Sequence, residues 1–140
     1  MMIIKPHVER TIRNGMSYGE SVASYDFRLA ENNFHTSILP HSFTLLHTLE
    51  LFDLPNGIAG QIMDKSSWAR KGISLFNTWI DPGFRGHITV EVQNNNDYEI
   101  FIPPGDPLGQ IVFFYVDRTT EGYAGKYQDQ PNKPVEAKYE

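Results

Sequence analysis

The 140-residue chain has no cysteine. That excludes a disulfide framework, a thiolate zinc site and a cysteine nucleophile. No apolar run approaches the ~20 residues of a membrane span. The opening Met-Met-Ile-Ile-Lys-Pro-His lacks the apolar stretch and small-residue cleavage site of a secretory leader, so a cytoplasmic protein is expected. Basic residues are in deficit: 12 Lys and Arg against 17 Asp and Glu leave a net charge of −5. Broad binding to nucleic acid or an acidic membrane needs a basic surface and is not expected. A small anionic ligand held by a few local cations remains possible. His7, His35, His41, His47 and His87 show no metal-ligand spacing, and zinc is not expected.

What is present suits one domain with a real core: 40% of residues are hydrophobic and 21% charged. Short apolar runs alternate with turn signals at Pro40-His41, Pro55-Asn56-Gly57 and Gly60. Runs of five to seven residues at about ten-residue spacing predict a mainly all-β protein, an antiparallel sandwich or barrel. Residues 43–52 are long enough for a helix, but their β-branched and aromatic content, flanked by Pro and Gly, favours a strand. Ile3 and Ile4 are placed to open a strand, and residues 6–14 read as an arm or one irregular turn. Tyr25, Phe27 and Leu29 alternate with Asp26 and Arg28, which puts Asp26 on a solvent face. Residues 1–116 form the expected domain. Residues 117–140 are rich in Tyr, Gly, Lys, Gln, Asn and Pro, and they form a tail that stays mobile unless something docks it.

Chemistry concentrates in residues 64–94. Lys65-Ser66-Ser67-Trp68-Ala69-Arg70 offers two cations and two hydroxyls, which suit a phosphate chain. The same residues also read as a polar turn in which serine caps a short helix. The glycine-rich loop of a Walker motif is absent. Asp81-Pro82-Gly83-Phe84-Arg85-Gly86 is a turn, with Asp81 bonding either its own backbone or a ligand. In His87-Ile88-Thr89-Val90-Glu91-Val92-Gln93-Asn94, residues 88, 90 and 92 share one strand face and residues 89, 91 and 93 the other. Glu91 is then either a solvated strand carboxylate or, if a hairpin through Pro82-Gly83 folds it beside Arg70 and Asp81, a proton shuttle. The stretch Gly122-Tyr123-Ala124-Gly125-Lys126-Tyr127-Gln128-Asp129-Gln130 suits either a flap or a polar terminus.

Five motifs in order resemble the dCTP deaminase family of the trimeric dUTPase-like superfamily. They are S-Y-G-E-S-V-A-S-Y-D-F-R-L, K-S-S-W-A-R-K-G-I, D-P-G-F-R-G-H-I-T-V-E, G-Q-I-V-F-F and Y-A-G-K-Y-Q-D-Q, spanning about residues 16–130. Arg70, Glu91 and a tail without a glycine-rich, Walker-like end resemble deaminases more than relatives that only hydrolyse dUTP. The loop S-L-F-N-T-W-I is shorter than in many deaminases, and Trp79 is bulky for a base pocket, which leaves base identity open, modified cytosines included. The helix that opens longer members is missing.

The resemblance implies a distorted antiparallel β-barrel or jelly roll of the dUTPase-like type, assembled as a homotrimer with shared active sites. It implies zinc-independent hydrolysis of dCTP to dUTP and ammonia. Glu91 would relay protons and Arg70 would hold Glu91 and the water. Lys65, Ser66, Ser67 and Gln110 would grip the triphosphate, with Trp68 and Ala69 bordering it and Mg²⁺ arriving with the nucleotide. Asp81 would bond the 3′-hydroxyl beside Thr89 and Val90. Tyr123, Lys126 and Gln130 would close over the phosphates, from a neighbouring subunit. The alternatives are a dUTP diphosphatase, a bifunctional enzyme in which Asp81 activates a second water, and a non-enzymatic nucleotide-sensing module.

Overall fold

The computed structural model describes residues 3–34, 36–117 and 121–139; His35, counted above among the histidines, lies outside them. Among the described residues there is one short helix and twelve strands. In chain order they are β1 (Ile3–Lys5), β2 (Thr11–Arg13), β3 (Met16–Glu20), β4 (Tyr25–Arg28), β5 (Ser37–Ile38), β6 (Phe43–Asp53) and β7 (Ile58–Asp64). Then come α1 (Ser66–Ala69), β8 (Ile73–Leu75), β9 (Trp79–Ile80), β10 (Arg85–Asn94), β11 (Ile100–Phe101) and β12 (Pro107–Tyr115). One sheet runs β1-β6-β10-β8, a second runs β2-β3-β4-β12-β7-β9, and β11 pairs with β5. Every ladder is antiparallel. No helix among the described residues is long and apolar enough to cross a membrane.

The core includes Phe27 and Leu29 from β4 and the residue after it, Phe52 from β6, Ile62 from β7, Ile88, Val90 and Val92 from β10, and Leu108 and Ile111 from β12. Burying such side chains is the main term favouring the fold. β10 follows its alternation: Ile88, Val90 and Val92 are buried, while Glu91 and Gln93 on the other face are only half covered. Beside it, β6 is irregular. His87 pairs with Leu51 but Thr89 pairs with His47, so residues 48–50 bulge opposite Ile88. The Ile88 N–H, deprived of a ladder partner, donates to Thr48 Oγ1 at 3.0 Å. The bulge turns Glu50 inward, where it meets Arg28 Nε at 2.9 Å and the Arg28 N–H at 3.0 Å.

Three local expectations change. Residues 6–14 contain β2, which folds onto β3 through Asn14-Gly15, both with positive φ; Asn-Gly is the two-residue hairpin signal. Asp26 is not on a solvent face. It is 7% exposed and accepts from Lys65 Nζ at 3.1 Å and from Ser17 Oγ at 3.2 Å. Both faces of β4 are covered, so alternation does not sort its residues into wet and dry. Neither serine caps α1: Lys65 stands at the N-cap without a side-chain cap bond.

Candidate active site

Glu91 sits on β10 at the wall of a cleft of about 460 Å³. Phe43, Leu45, Ile80 and Ile88 give the cleft apolar walls; Thr78, Thr89, Tyr127 and Gln130 supply polar atoms. No cation lines it among the described residues. The Glu91 backbone carbonyl accepts from the Phe76 N–H at 3.1 Å, and its Oε2 accepts from Thr78 Oγ1 at 3.3 Å. Thr89, on the same face, donates to Gln130 Oε1 at 3.1 Å and accepts from the Val135 N–H at 2.9 Å. Val90 points the other way, into the core, and is 1% exposed.

Asp81 adjoins this cleft through Ile80. Its carbonyl accepts from the Phe84 N–H at 3.1 Å, closing the turn, and its exposed side chain lines a second cleft of about 420 Å³ with Trp79, Pro82, Glu121 and Tyr123. The bulky Trp79 is turned outward and stacks on Phe114, with centroids 5.6 Å apart.

The tail lies on β10 of its own chain. Asp129 N–H donates to the Arg85 carbonyl at 2.7 Å and His87 N–H to the Gln130 carbonyl at 3.1 Å. Tyr123 packs on Phe84, and Asn132 Oδ1 sits 2.8 Å from His47 Nε2. Two glycines make room for it. A Cβ on Gly83 would fall 2.7 Å from the Tyr123 nitrogen, and one on Gly86 2.5 Å from the Gln130 nitrogen; both glycines have positive φ. Lys126 is exposed, and its ammonium lies over the Tyr127 ring.

Lys65, Ser66, Ser67, Arg70 and Gln110 gather at another end of the barrel. Lys65 is 8% exposed and neutralised by Asp26. Gln110 accepts from Ser24 Oγ at 2.9 Å and donates to the Asp64 carbonyl at 2.8 Å. Trp68 is buried, with its indole N–H on the Pro107 carbonyl at 2.8 Å. Ser66, Ala69 and Arg70 are exposed. The expected hairpin therefore does not bring Arg70 to Glu91 within one chain. Arg70 precedes Ile73, whose β10 partner is Asn94, already about 10 Å along the strand from Glu91.

Two buried ionisable groups escaped sequence reading. Burial pushes the Glu50 carboxyl above its ordinary range, against the pull of the Arg28 N–H donors and charge. Burial pushes the His47 imidazole down; the Asn132 hydrogen bond opposes this and His87 adds to it. Neither carries a motif, and both follow from the β6 bulge and its neighbours. Thr78 was also missed, because its nearness to Glu91 depends on the β8–β10 register. Among the described residues no group of three His, Asp or Glu side chains could hold a metal ion.

The fold is a dUTPase-like β-barrel. Among solved structures, the native EIAV dUTPase matches with TM-score 0.64 at 17% identity, over 91% of this chain and 99% of that one. The Staphylococcus bacteriophage 80alpha dUTPase matches with TM-score 0.63 at 16% identity, over 92% and 99%. The sequence profile described as dCTP deaminase-like matches residues 23–116. The "dCTP deaminase, dUMP-forming" of Methanoregula boonei is 37% identical over 134 residues, 91% of this chain and 67% of the relative. Its namesake in Methanoculleus marisnigri is 43% identical over 99 residues, covering 66% and 53%. The "dCTP deaminase" of Campylobacter fetus is 32% identical over 159 residues, covering 91% and 86%. The chain belongs to the dCTP deaminase-like family, and it spans about half to two thirds of the length of the two dUMP-forming relatives.

Proposed function

We propose that this chain is a dCTP deaminase that hydrolyses the C4 amine of dCTP, giving dUTP and ammonia. The observation that carries the reading is Glu91. It is a half-buried carboxylate with no cation beside it among the described residues, in a mostly apolar cleft of a dCTP deaminase-like chain. Glu91 takes a proton from water as the water oxygen bonds to C4. It passes that proton to N3, then carries the remaining water proton from the C4 hydroxyl to the amine; the C4–N bond breaks as the C4 carbonyl forms, and ammonia leaves. Acid–base relay of this kind is worth ~10²–10⁴ in rate. A carboxylate in a dry, shaped cleft needs no zinc to do this, unlike the metal-dependent base deaminases.

Further machinery comes from a neighbouring copy in a homotrimer, while Asp81 and the closing segment belong to the chain that carries Glu91. Arg70 of that copy completes the Glu91 site, and its Ser66 and Ser67, backed by Lys65 and Gln110, take the triphosphate. Trp68 and Ala69 hold that loop in shape. Asp81 accepts from the deoxyribose 3′-hydroxyl beside Thr89 and Val90. Tyr123, Lys126 and Gln130 belong to a closing segment, residues 117–140, that shuts the site. Mg²⁺ arrives with the nucleotide, taking its oxygens mainly from phosphates and water, and needs no cluster of three His, Asp or Glu ligands, which the described residues lack. Such a substrate puts the enzyme in the cytoplasm.

A second reading has its own support. The relatives at 37% and 43% identity are named dUMP-forming, which favours an enzyme that also cleaves dUTP, with Asp81 activating the second water. Incubation with Mg²⁺ and dCTP, and separately with dUTP, followed by chromatography separates the cases. dUTP plus ammonia identifies the deaminase, and dUMP from both substrates the bifunctional enzyme. Turnover of dUTP alone, or of neither, overturns the deaminase reading.

A further inference from the structure

We infer that Thr78 is a positioning residue for Glu91, holding one carboxylate oxygen so that the other faces the reacting water. The inference rests on the deaminase reading and extends it to a residue outside the motifs. Thr78 stands in the loop between β8 and β9, and that loop is stitched to the barrel at three points. The Phe76 N–H donates to the Glu91 carbonyl at 3.1 Å, the Ile62 N–H donates to the Thr78 carbonyl at 2.9 Å, and Leu75 pairs with Val92 on β10. The loop therefore grips Glu91 by its backbone, and Thr78 Oγ1 reaches its Oε2 at 3.3 Å. That bond is long, and a small movement of the loop tightens it.

The hydroxyl has one proton and two acceptors. Besides Glu91, it faces the Phe76 carbonyl at 3.4 Å. An ionised carboxylate is the stronger acceptor, so the proton points to Glu91 while that group is charged and turns to Phe76 once it takes up a proton. The exchange suits a residue that must first accept a proton and then give it away. Of the polar side chains lining the cleft, Thr78 is the one hydrogen-bonded to the Glu91 carboxylate among the described residues.

The test compares wild type with Thr78→Val, which keeps the shape and removes the hydroxyl, and with Thr78→Ser, which keeps the hydroxyl. Steady-state dCTP deamination is followed for all three. In Thr78→Val kcat falls ~10-fold with KM nearly unchanged, the loss expected for one hydrogen bond to a charged group. Thr78→Ser restores kcat. A loop that merely needed threonine for packing would tolerate Thr78→Val, which keeps the shape, better than Thr78→Ser. An active wild type with kcat unchanged in Thr78→Val overturns the inference alone, as does a Thr78→Ser enzyme no better than Thr78→Val. A wild type without dCTP turnover overturns the deaminase reading and this inference with it.

Discussion

The cleft at Glu91 and the barrel end at Lys65 are built in opposite ways. At Lys65 the polar groups are tied to partners: the ammonium to Asp26 and Ser17, and both ends of the Gln110 amide to Ser24 and Asp64. At Glu91 the carboxylate has a hydroxyl on one oxygen and, among the described residues, no counter-charge along the cleft. The first region is held in shape by satisfied charges. The second keeps a half-exposed carboxylate without an ion-pair partner among the described residues. A stable scaffold tolerates such a site because the cost falls on one side chain while the surrounding ladders remain intact.

The sharpest way to break the comparison is to remove the unanswered charge. Glu91→Gln should cut turnover by ~10²–10⁴ while leaving dCTP binding by calorimetry near wild type. Mixing that variant with Arg70→Ala, after dissociation and reassembly, should restore activity at roughly a quarter of sites if each site draws on two copies of a trimer. No recovery on mixing would mean that Arg70 serves no neighbour's Glu91. At the other end the expected loss is of stability. Asp26→Ala leaves Lys65 buried without its partner and should cost ~3–5 kcal/mol, read as a lower denaturant midpoint. A shift under a fifth of that would show the Lys65 end to be no scaffold.

Two smaller effects sharpen the picture of the tail, which bridges the clefts. Truncation after Val116 should raise KM for dCTP ~10-fold and lower stability as well, because Tyr123 and Tyr127 pack against the core. Unchanged kinetics would make the segment irrelevant to closure. The smallest effect concerns His47. Its imidazole is held below the ordinary range when folded, so the unfolded chain binds a proton more readily. Stability should therefore fall as pH drops through the ordinary imidazole range, between about pH 7.5 and 5.5. Thermal unfolding of His47→Gln should lose less over that window than wild type; an equal loss would acquit His47.

Much of this was legible. The alternation of Ile88, Val90 and Val92 placed Glu91 on the opposite face of β10, because strand periodicity survives even beside a bulge. The Asn14-Gly15 signal for the first hairpin was also in the text, overlooked because the flanking residues are mostly polar. Asp26 misled for a different reason. Period-two reasoning assumes one wet face, and β4 has none. Arg70 and Glu91 lie close in sequence, yet the pairing of Ile73 with Asn94 sends them apart. No local pattern encodes that register.

By itself the sequence determined the all-β class, the order of the family motifs and the strand face that carries Glu91, since periodicity, turn chemistry and residue type are local properties of the chain. Only the tertiary structure decided which charges are answered. Lys65 meets Asp26 across thirty-nine positions, Glu50 is turned inward by a bulge, and Glu91 is left with Thr78, because such pairings depend on how strands separated in the chain register against one another.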